Sequence, residues 1–310
     1  MITLGIDTSN YATSIDIIDN TQHKILIHKK EFLPVEQGSF GLRQQDALFH
    51  HTKNLSDKLS EIKGEFDFKK ISAVGVSIKP SNNENSYMPC FLTGRMAAVA
   101  VSASLGIPIV ETSHQTGHLH SALFYLNEEK NFHQEMLMLH ISGGTTDVIL
   151  AKDGQAAKTL GSSNDLFAGQ AVDRLGVKMG YPFPSGEYVS RIALDCKEVF
   201  KPKISVNGLN CNLSGLENQC DKLLKDGFDK SYVSKYCLSF IAQTIIKMIE
   251  NAQINLGDIP VVLAGGVMSS EVIRQIVTEK LPKAQFVEPM FSQDNAIGVA
   301  FYAYRRTKNG

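Results

Sequence analysis

Residues 136–150, M-L-M-L-H-I-S-G-G-T-T-D-V-I-L, constrain the fold more than any other part of the chain. Apolar runs flank Ser142-Gly143-Gly144-Thr145-Thr146 on both sides, so two strands double back through a turn made almost wholly of backbone and hydroxyl. Residues 155–161 supply a third strand and complete a meander. The chain opens the same way. Residues 2–7 alternate into a buried strand ending at Asp7-Thr8-Ser9, and residues 11–19 and 24–32 read as two more strands about the turn-forming Asp19-Asn20. Two meanders with polar first turns form a weak internal repeat and point to two lobes of similar design. A length of 310 residues also exceeds what one hydrophobic core organises.

Between and after the meanders the pattern is mixed α/β. A loop at 38–41 precedes a helix over 42–59; a β-branched strand at 71–77 leads through a polar loop at 79–87 to a helix over 88–105 and a strand at 107–110. In the second half, residues 164–179 read as a helix, broken by G-Y-P-F-P-S-G at 180–186 before another helix over 187–200. A long amphipathic helix over 232–254 buries Ile241, Ile245, Met248 and Ile249. A buried strand then runs into Gly265-Gly266 and a helix opened by Ser269 or Ser270, and a final helix starts at Asp294-Asn295.

Residues 111–120, E-T-S-H-Q-T-G-H-L-H, hold the first candidate for chemistry. Thr112 and Gln115 have the spacing of a capping box, which predicts a helix running through Ala122 and Leu123. His114 and His118, four residues apart, then share one face, and two neutral imidazoles so placed can bind one divalent metal. A pair at this spacing is equally compatible with plain surface or interface histidines. Gly143-Gly144 leaves backbone N–H groups open to a phosphate, or makes an ordinary tight turn. Gly265-Gly266 at a strand-to-helix crossover lets a flat ring approach the backbone, or packs a crossover with no ligand. Asp294, by itself, need be no more than a helix cap.

Bulk properties narrow the classes. No apolar run reaches the length of a membrane span, and the start lacks a secretory leader, so the expectation is a cytoplasmic protein. Five scattered cysteines without a C-x-x-C pair read as reduced thiols, to which no chemistry is assigned. A formal net charge of −1 gives no global attraction to nucleic acid, so any RNA would need a local patch or a partner subunit.

Asp7, Gly143-Gly144 and Gly265-Gly266, in that order, resemble the landmarks of the α/β fold shared by actin, heat-shock chaperone ATPases and sugar kinases, the ASKHA fold. With His114, His118 and Ser292-Gln293-Asp294-Asn295 added, the chain resembles the family of the tRNA threonylcarbamoyladenosine synthase catalytic subunit (TsaD-like, formerly the glycoprotease family). The resemblance implies an N-terminal lobe over 1–133 completed by a helix over 294–310, and a second lobe over 134–293, with a nucleotide and a metal in the cleft. It implies that His114, His118 and Asp294 bind a divalent metal: iron, zinc or magnesium. It implies that His140, Ile141, Ser142, Gly143 and Gly144 hold phosphate or the acyl-adenylate. Asp173 and Gly186 fall at the ribose, and Asp7, Gly265, Gly266 and Ser270 at the remaining nucleotide positions. The resemblance further implies threonylcarbamoyl-AMP or ATP as the ligand, acyl transfer to N6 of adenosine 37 in tRNA as the reaction, and a TsaB-like subunit and a small ATPase as partners.

The family's T-S-C-D-E-T becomes T-S-N-Y-A-T at residues 8–13, S-G-G-H-T carries Thr145, A-G-E carries Gln170, and the asparagine after A-G-G-V aligns with Ser270. The altered positions admit a paralogous carbamoyltransferase or nucleotide-binding protein with an acceptor other than tRNA, or a non-catalytic regulatory partner. A metalloprotease of the H-E-x-x-H type is disfavoured, because its general base would be Gln115.

Overall fold

The computed structural model describes residues 1–9, 12–34, 42–127 and 134–308, and the chain divides into two compact units. Asn10, Tyr11 and the loop expected at 38–41 lie outside the described residues. The first unit comprises Met1–Gln134, Lys152–Ala156 and Met290–Gly310; the second comprises Glu135–Ala151 and Ala157–Pro289.

The first unit is built on β1 (Ile2–Ser9), β2 (Ala12–Asp19), β3 (Lys24–Phe32), β4 (Ile71–Lys79) and β5 (Ile109–Ser113), in the order β3-β2-β1-β4-β5. The meander β1-β2-β3 is antiparallel, while β4 and β5 run parallel to β1. Leu4, Ile6, Ile15, Ile17, Val74 and Val76 alternate onto one face and bury against α1 (Gln44–Glu65) and α2 (Phe91–Leu105). The other face carries α3 (His114–Leu126) and the last helix of the chain.

The second unit repeats this plan with β6 (Met136–Ile141), β7 (Thr146–Lys152), β8 (Gln155–Ser162), β11 (Val261–Ala264) and β12 (Gln285–Phe286), ordered β12-β11-β6-β7-β8. Strand for strand this is the order of the first sheet, as the two meanders predict. Its helices are α4 (Ala168–Lys178), α5 (Gly186–Ala193), α6 (Ser214–Lys225), α7 (Lys230–Leu256) and α8 (Glu271–Lys280), with a small hairpin of β9 (Val206–Asn207) and β10 (Asn210–Cys211) before α6. Helix α7 starts where Asp229 accepts from the Tyr232 N–H at 2.8 Å, and it buries Ile241, Ile245, Met248 and Ile249 at the centre of the core.

Several helix boundaries differ from expectation: α1 runs on to Glu65, the final helix begins at Ile297 and not at Asp294, and three others move for local reasons. Strand β5 continues through Thr112, so the cap of α3 is Ser113, whose side chain accepts from the Thr116 N–H. Helix α4 begins only at Ala168, because Asp165 turns its carboxylate to the N–H groups of Leu166, Leu213 and Ser214 and holds the preceding residues in a loop. Helix α5 ends at Ala193, where i→i−3 bonds from Leu194, Asp195 and Cys196 tighten the last turn.

After the single turn α9 (Pro289–Ser292), helix α10 (Ile297–Lys308) returns to the first unit and lies against β1, β4 and α3. Its approach is closer than side chains permit. A Cβ on Gly5 would stand 2.1 Å from the Ala296 carbonyl oxygen, and one on Gly298 would stand 1.8 Å from that of Gly117. Thr3 Oγ1 donates to the Ala300 carbonyl at 2.9 Å, and Asp16 Oδ2 accepts from the Ala296 N–H at 2.7 Å. Gly298→Ala is therefore expected to cost about 3 kcal/mol, since the obstructing atoms, the Gly117 carbonyl and the Ser121 nitrogen, are backbone; urea unfolding followed by circular dichroism measures it.

Candidate functional site

Strand β5 delivers Ser113 to the start of α3, and the first two turns of that helix bring His114 and His118 onto one face. Their Nε2 atoms are 3.0 Å apart. Asp294, in the segment leading into α10, places Oδ1 3.5 Å from His114 Nε2 and 3.4 Å from His118 Nε2. Ligand atoms bonded at about 2.1 Å to a single metal lie roughly 3.0–3.4 Å apart at octahedral or tetrahedral angles. The donor set and its spacing thus fit one divalent ion, and two imidazoles with a carboxylate suit iron or zinc.

Two further interactions fix these donors. His114 turns Nδ1 toward Asp7 Oδ1 at 3.1 Å, which leaves Nε2 facing His118 and Asp294. Asp7 is fully buried within β1 and also accepts from Ser77 Oγ. A carboxylate behind a ligating histidine sets its tautomer and raises its basicity. Asn295 clamps the Asp294 segment: its Oδ1 accepts from Ser121 Oγ of α3 at 3.1 Å and from the Ile297 N–H at 3.0 Å, while its Nδ2 donates to the Gln293 carbonyl at 2.7 Å.

The charges in this cluster are unbalanced without a cation. Burial alone would lower the pKa of His114, but Asp7 and Asp294 overcome it and lift the imidazole to about 10. Burial and the charge on His114 together hold His118 down. Burial raises the carboxyl pKa of Asp294, yet the two histidines pull it well below the usual carboxylate range; His114 and Ser77 likewise lower Asp7 against burial. A proton on His114 supplies positive charge between the buried carboxylate of Asp7 and the partly exposed one of Asp294.

The second unit gathers the glycine motifs around β6. Ser142 N–H and the Thr145 carbonyl close the β6–β7 turn at 2.8 Å. The turn departs from expectation: Gly144 and Thr145 both direct their N–H groups to Ser142 Oγ at 3.2 Å, so they are not free donors. Thr145 Oγ1, 3.3 Å from both His140 Nδ1 and the His140 carbonyl, ties His140 to the same turn. Ile141 is buried, and its carbonyl oxygen would lie 2.1 Å from a Cβ on Gly265, whose φ of +105° also demands glycine. Around Gly143, Gly144, Gly186 and Gly266 an added Cβ would meet nothing within 4 Å, so these backbones face open space.

Asp173 Oδ1 accepts from the Ser185 N–H at 2.7 Å and the Gly186 N–H at 3.1 Å, joining the two residues expected at the ribose; burial raises its pKa against both bonds. Ser270, the N-cap residue of α8, is buried and its Oγ has no partner. Gln170 Oε1 accepts from the Phe167 N–H at 3.3 Å and serves the start of α4.

Ser77, Asn295 and Asp16 escaped the sequence reading as supports of the metal donors. Only the β-strand register and the return of α10 expose them, since their contacts span 70, 174 and 280 residues of chain.

Each unit, a five-stranded mixed sheet with helices on its faces, matches the actin, chaperone and sugar-kinase class of fold. Component A of (R)-2-hydroxyglutaryl-CoA dehydratase from Acidaminococcus fermentans superposes at a TM-score of 0.58 with 16% identity, covering 99% of both chains. A ROK family glucokinase from Streptomyces griseus superposes at 0.55 with 12% identity, over 98% of this chain and all of its own. At the level of sequence, residues 36–301 match the family of TsaD, tRNA N6-adenosine threonylcarbamoyltransferase, and the chain belongs to that family of transferases. The tRNA N6-adenosine threonylcarbamoyltransferase of Neorickettsia sennetsu is 27% identical over 321 residues, covering 99% of this chain and 94% of its own length. A probable bifunctional tRNA threonylcarbamoyladenosine biosynthesis protein of Thermoplasma acidophilum is 25% identical, and the match spans 57% of its length.

Asp7→Asn should weaken Co(II) or Zn(II) binding about 10- to 100-fold, read by equilibrium dialysis, because His114 loses the carboxylate that fixes its tautomer. Asp147 lies opposite His140 in the β6–β7 register, and burial raises its carboxyl pKa to about 6. A folded-state pKa above the unfolded value makes ionisation destabilising, a penalty absent below the unfolded pKa and complete above about 6. Asp147→Asn should then raise stability by up to about 3 kcal/mol at pH 7.5 and leave it unchanged at pH 3.5, measured by thermal melts at both pH values.

Proposed function

We propose that this chain transfers a threonylcarbamoyl group from threonylcarbamoyl-adenylate to N6 of adenosine 37 in tRNA. The observation that carries this reading is the triad of His114, His118 and Asp294, spaced for one divalent ion and backed by Asp7, in a chain that belongs to the TsaD family. His114 Nε2, His118 Nε2 and Asp294 Oδ1 would hold the metal, iron or zinc by donor type. Bound there, it would supply Lewis acidity and neutralise phosphate charge.

The chain's own residues do the remaining work. Asp7 keeps the His114 Nδ1 proton in place, so that Nε2 stays a donor. In the second unit, the open backbone at Gly143 would receive phosphate, with Gly144 leaving room beside the turn, Asp173 with Gly186 would take the ribose, and Gly265, Gly266 and the orphaned hydroxyl of Ser270 the rest of the adenosine. His140 and Ile141 would frame the phosphate turn. Transfer of an acyl group between an adenylate and an amine depends on orientation and charge stabilisation, which this arrangement supplies without a nucleophilic side chain. Gln115, next to His114, offers no carboxylate base, which disfavours a metalloprotease of the H-E-x-x-H type.

A net charge of −1 favours recruitment of tRNA by partner subunits, a TsaB-like protein and a small ATPase, in the cytoplasm. Among the described residues no helix is long and apolar enough to cross a membrane. A second reading keeps the chemistry and changes the acceptor: Thr145 at the phosphate turn and Ser270 at the crossover favour it.

The test is to incubate metal-loaded protein with threonylcarbamoyl-adenylate and bulk tRNA, with and without cell extract, and to analyse digested nucleosides by mass spectrometry. Threonylcarbamoyladenosine that disappears in His114→Ala is the expected result. Adenylate consumed without a modified nucleoside would move the acceptor away from tRNA, and no consumption at all would make the chain a non-catalytic partner.

A further inference from the structure

Register places a polar row across the first sheet. Asp7 of β1 stands opposite Ser14 of β2, and Ser14 stands opposite Lys30 of β3. Residues in one cross-strand row of a sheet turn their side chains to the same face, here the face on which Asp7 meets His114. Ser14 is fully buried, and its Oγ has no hydrogen-bond partner. Ser9, two residues beyond Asp7 on the same face, is likewise buried with its Oγ unpartnered. An orphaned buried hydroxyl is unfavourable, so two of them on the face of the sheet that carries Asp7 call for an acceptor that is supplied from outside.

Lys30 completes the row. Its Nζ is 3.4 Å from Gln293 Oε1, next to Asp294 in sequence, and 4.4 Å from the Phe32 ring centroid. Among the described residues it pairs with no carboxylate within 4.0 Å, although burial depresses its pKa against the pull of Asp294, Asp16 and Asp7. With a divalent ion on the triad, the charge of Asp294 is taken up and the ammonium is left to an exogenous anion. A threonylcarbamoyl group carries a carboxylate, which a carbamoyl group lacks.

We propose that Lys30 and the Ser14 hydroxyl form a subsite for the carboxylate of the transferred amino-acid carbamoyl group. The subsite makes the chain selective for N-carbamoyl amino acids over simple carbamoyl donors, and it rests on the transferase reading. It requires no contribution from the nucleotide, whose phosphate is common to both kinds of donor.

The experiment titrates metal-loaded wild type, Lys30→Met, Lys30→Arg and Ser14→Ala, at matched metal content, with threonylcarbamoyl-adenylate and with carbamoyl-adenylate by calorimetry. Lys30→Met should weaken the first donor about 30-fold and the second less than about twofold, with Lys30→Arg restoring most of the difference. Ser14→Ala should weaken the first donor several-fold without lowering Tm, since it deletes a hydroxyl that bonds nothing in the free protein. Equal weakening of both donors would assign Lys30 to phosphate, and no weakening of either would remove it from the site; each overturns the proposal. N-carbamoylthreonine and its amide, titrated alone, separate this failure from that of the transferase reading. A Lys30-dependent preference for the acid sustains the subsite even if neither adenylate binds, and the lack of such a preference then refutes both.

Discussion

Backbone-to-backbone contact between the last helix and the first strand is the constraint on which the first unit depends. Gly5 and Gly298 give up their side chains so that α10 can rest on β1 and cross α3 at a distance no Cβ would tolerate. Glycine costs conformational entropy in regular structure, so its use at a strand centre and inside a helix has to be offset by what the proximity achieves. What it achieves is the delivery of Asp294 to the histidines. Asp16 and Asn295 then hold that segment by hydrogen bonds to the Ala296 and Ile297 N–H groups and the Gln293 carbonyl.

Once assembled, the site is electrostatically poised. Two carboxylates and two imidazoles pack together, Asp7 and His118 buried and Asp294 and His114 partly exposed, and the protein stabilises the arrangement with a proton on His114. Such a cluster has no structural merit of its own, because an apolar replacement would avoid the desolvation. Its persistence makes chemical sense for an ion that takes the proton's place. The second unit has a different character. Its glycine turns expose backbone where an added side chain would meet nothing, and Ser142 already satisfies two of the donors that would otherwise wait for phosphate.

Much of the fold was legible because hydrophobic alternation is local. β3 falls at 24–32 as read, and the repeated meander correctly implied two sheets of one plan. The misplaced helix starts share a cause: Asp165 and Ser113 bind backbone N–H groups through tertiary or turn geometry that spacing alone does not reveal. His114 and His118 were visible as a pair through helical periodicity, whereas Asp294 entered only through family resemblance. Ser77, Asp16 and Lys30 carried no signal at all, being ordinary strand residues until the fold sets Ser77 against Asp7, Asp16 against the Ala296 N–H and Lys30 in the cross-strand row of Asp7 and Ser14.

The order of the chain has a consequence for how the centre is made. The two histidines leave the ribosome some 180 residues before the aspartate that completes their triad, as their numbers in the sequence give. At typical elongation rates that interval lasts roughly ten seconds or more, during which the β1–β5 sheet can form without its closing helix. The nascent protein therefore presents two of the three candidate donors first and gains Asp294 only after that interval. A product terminated between residues 118 and 294 lacks Asp294 and α10 and so would hold no full set of the proposed metal ligands.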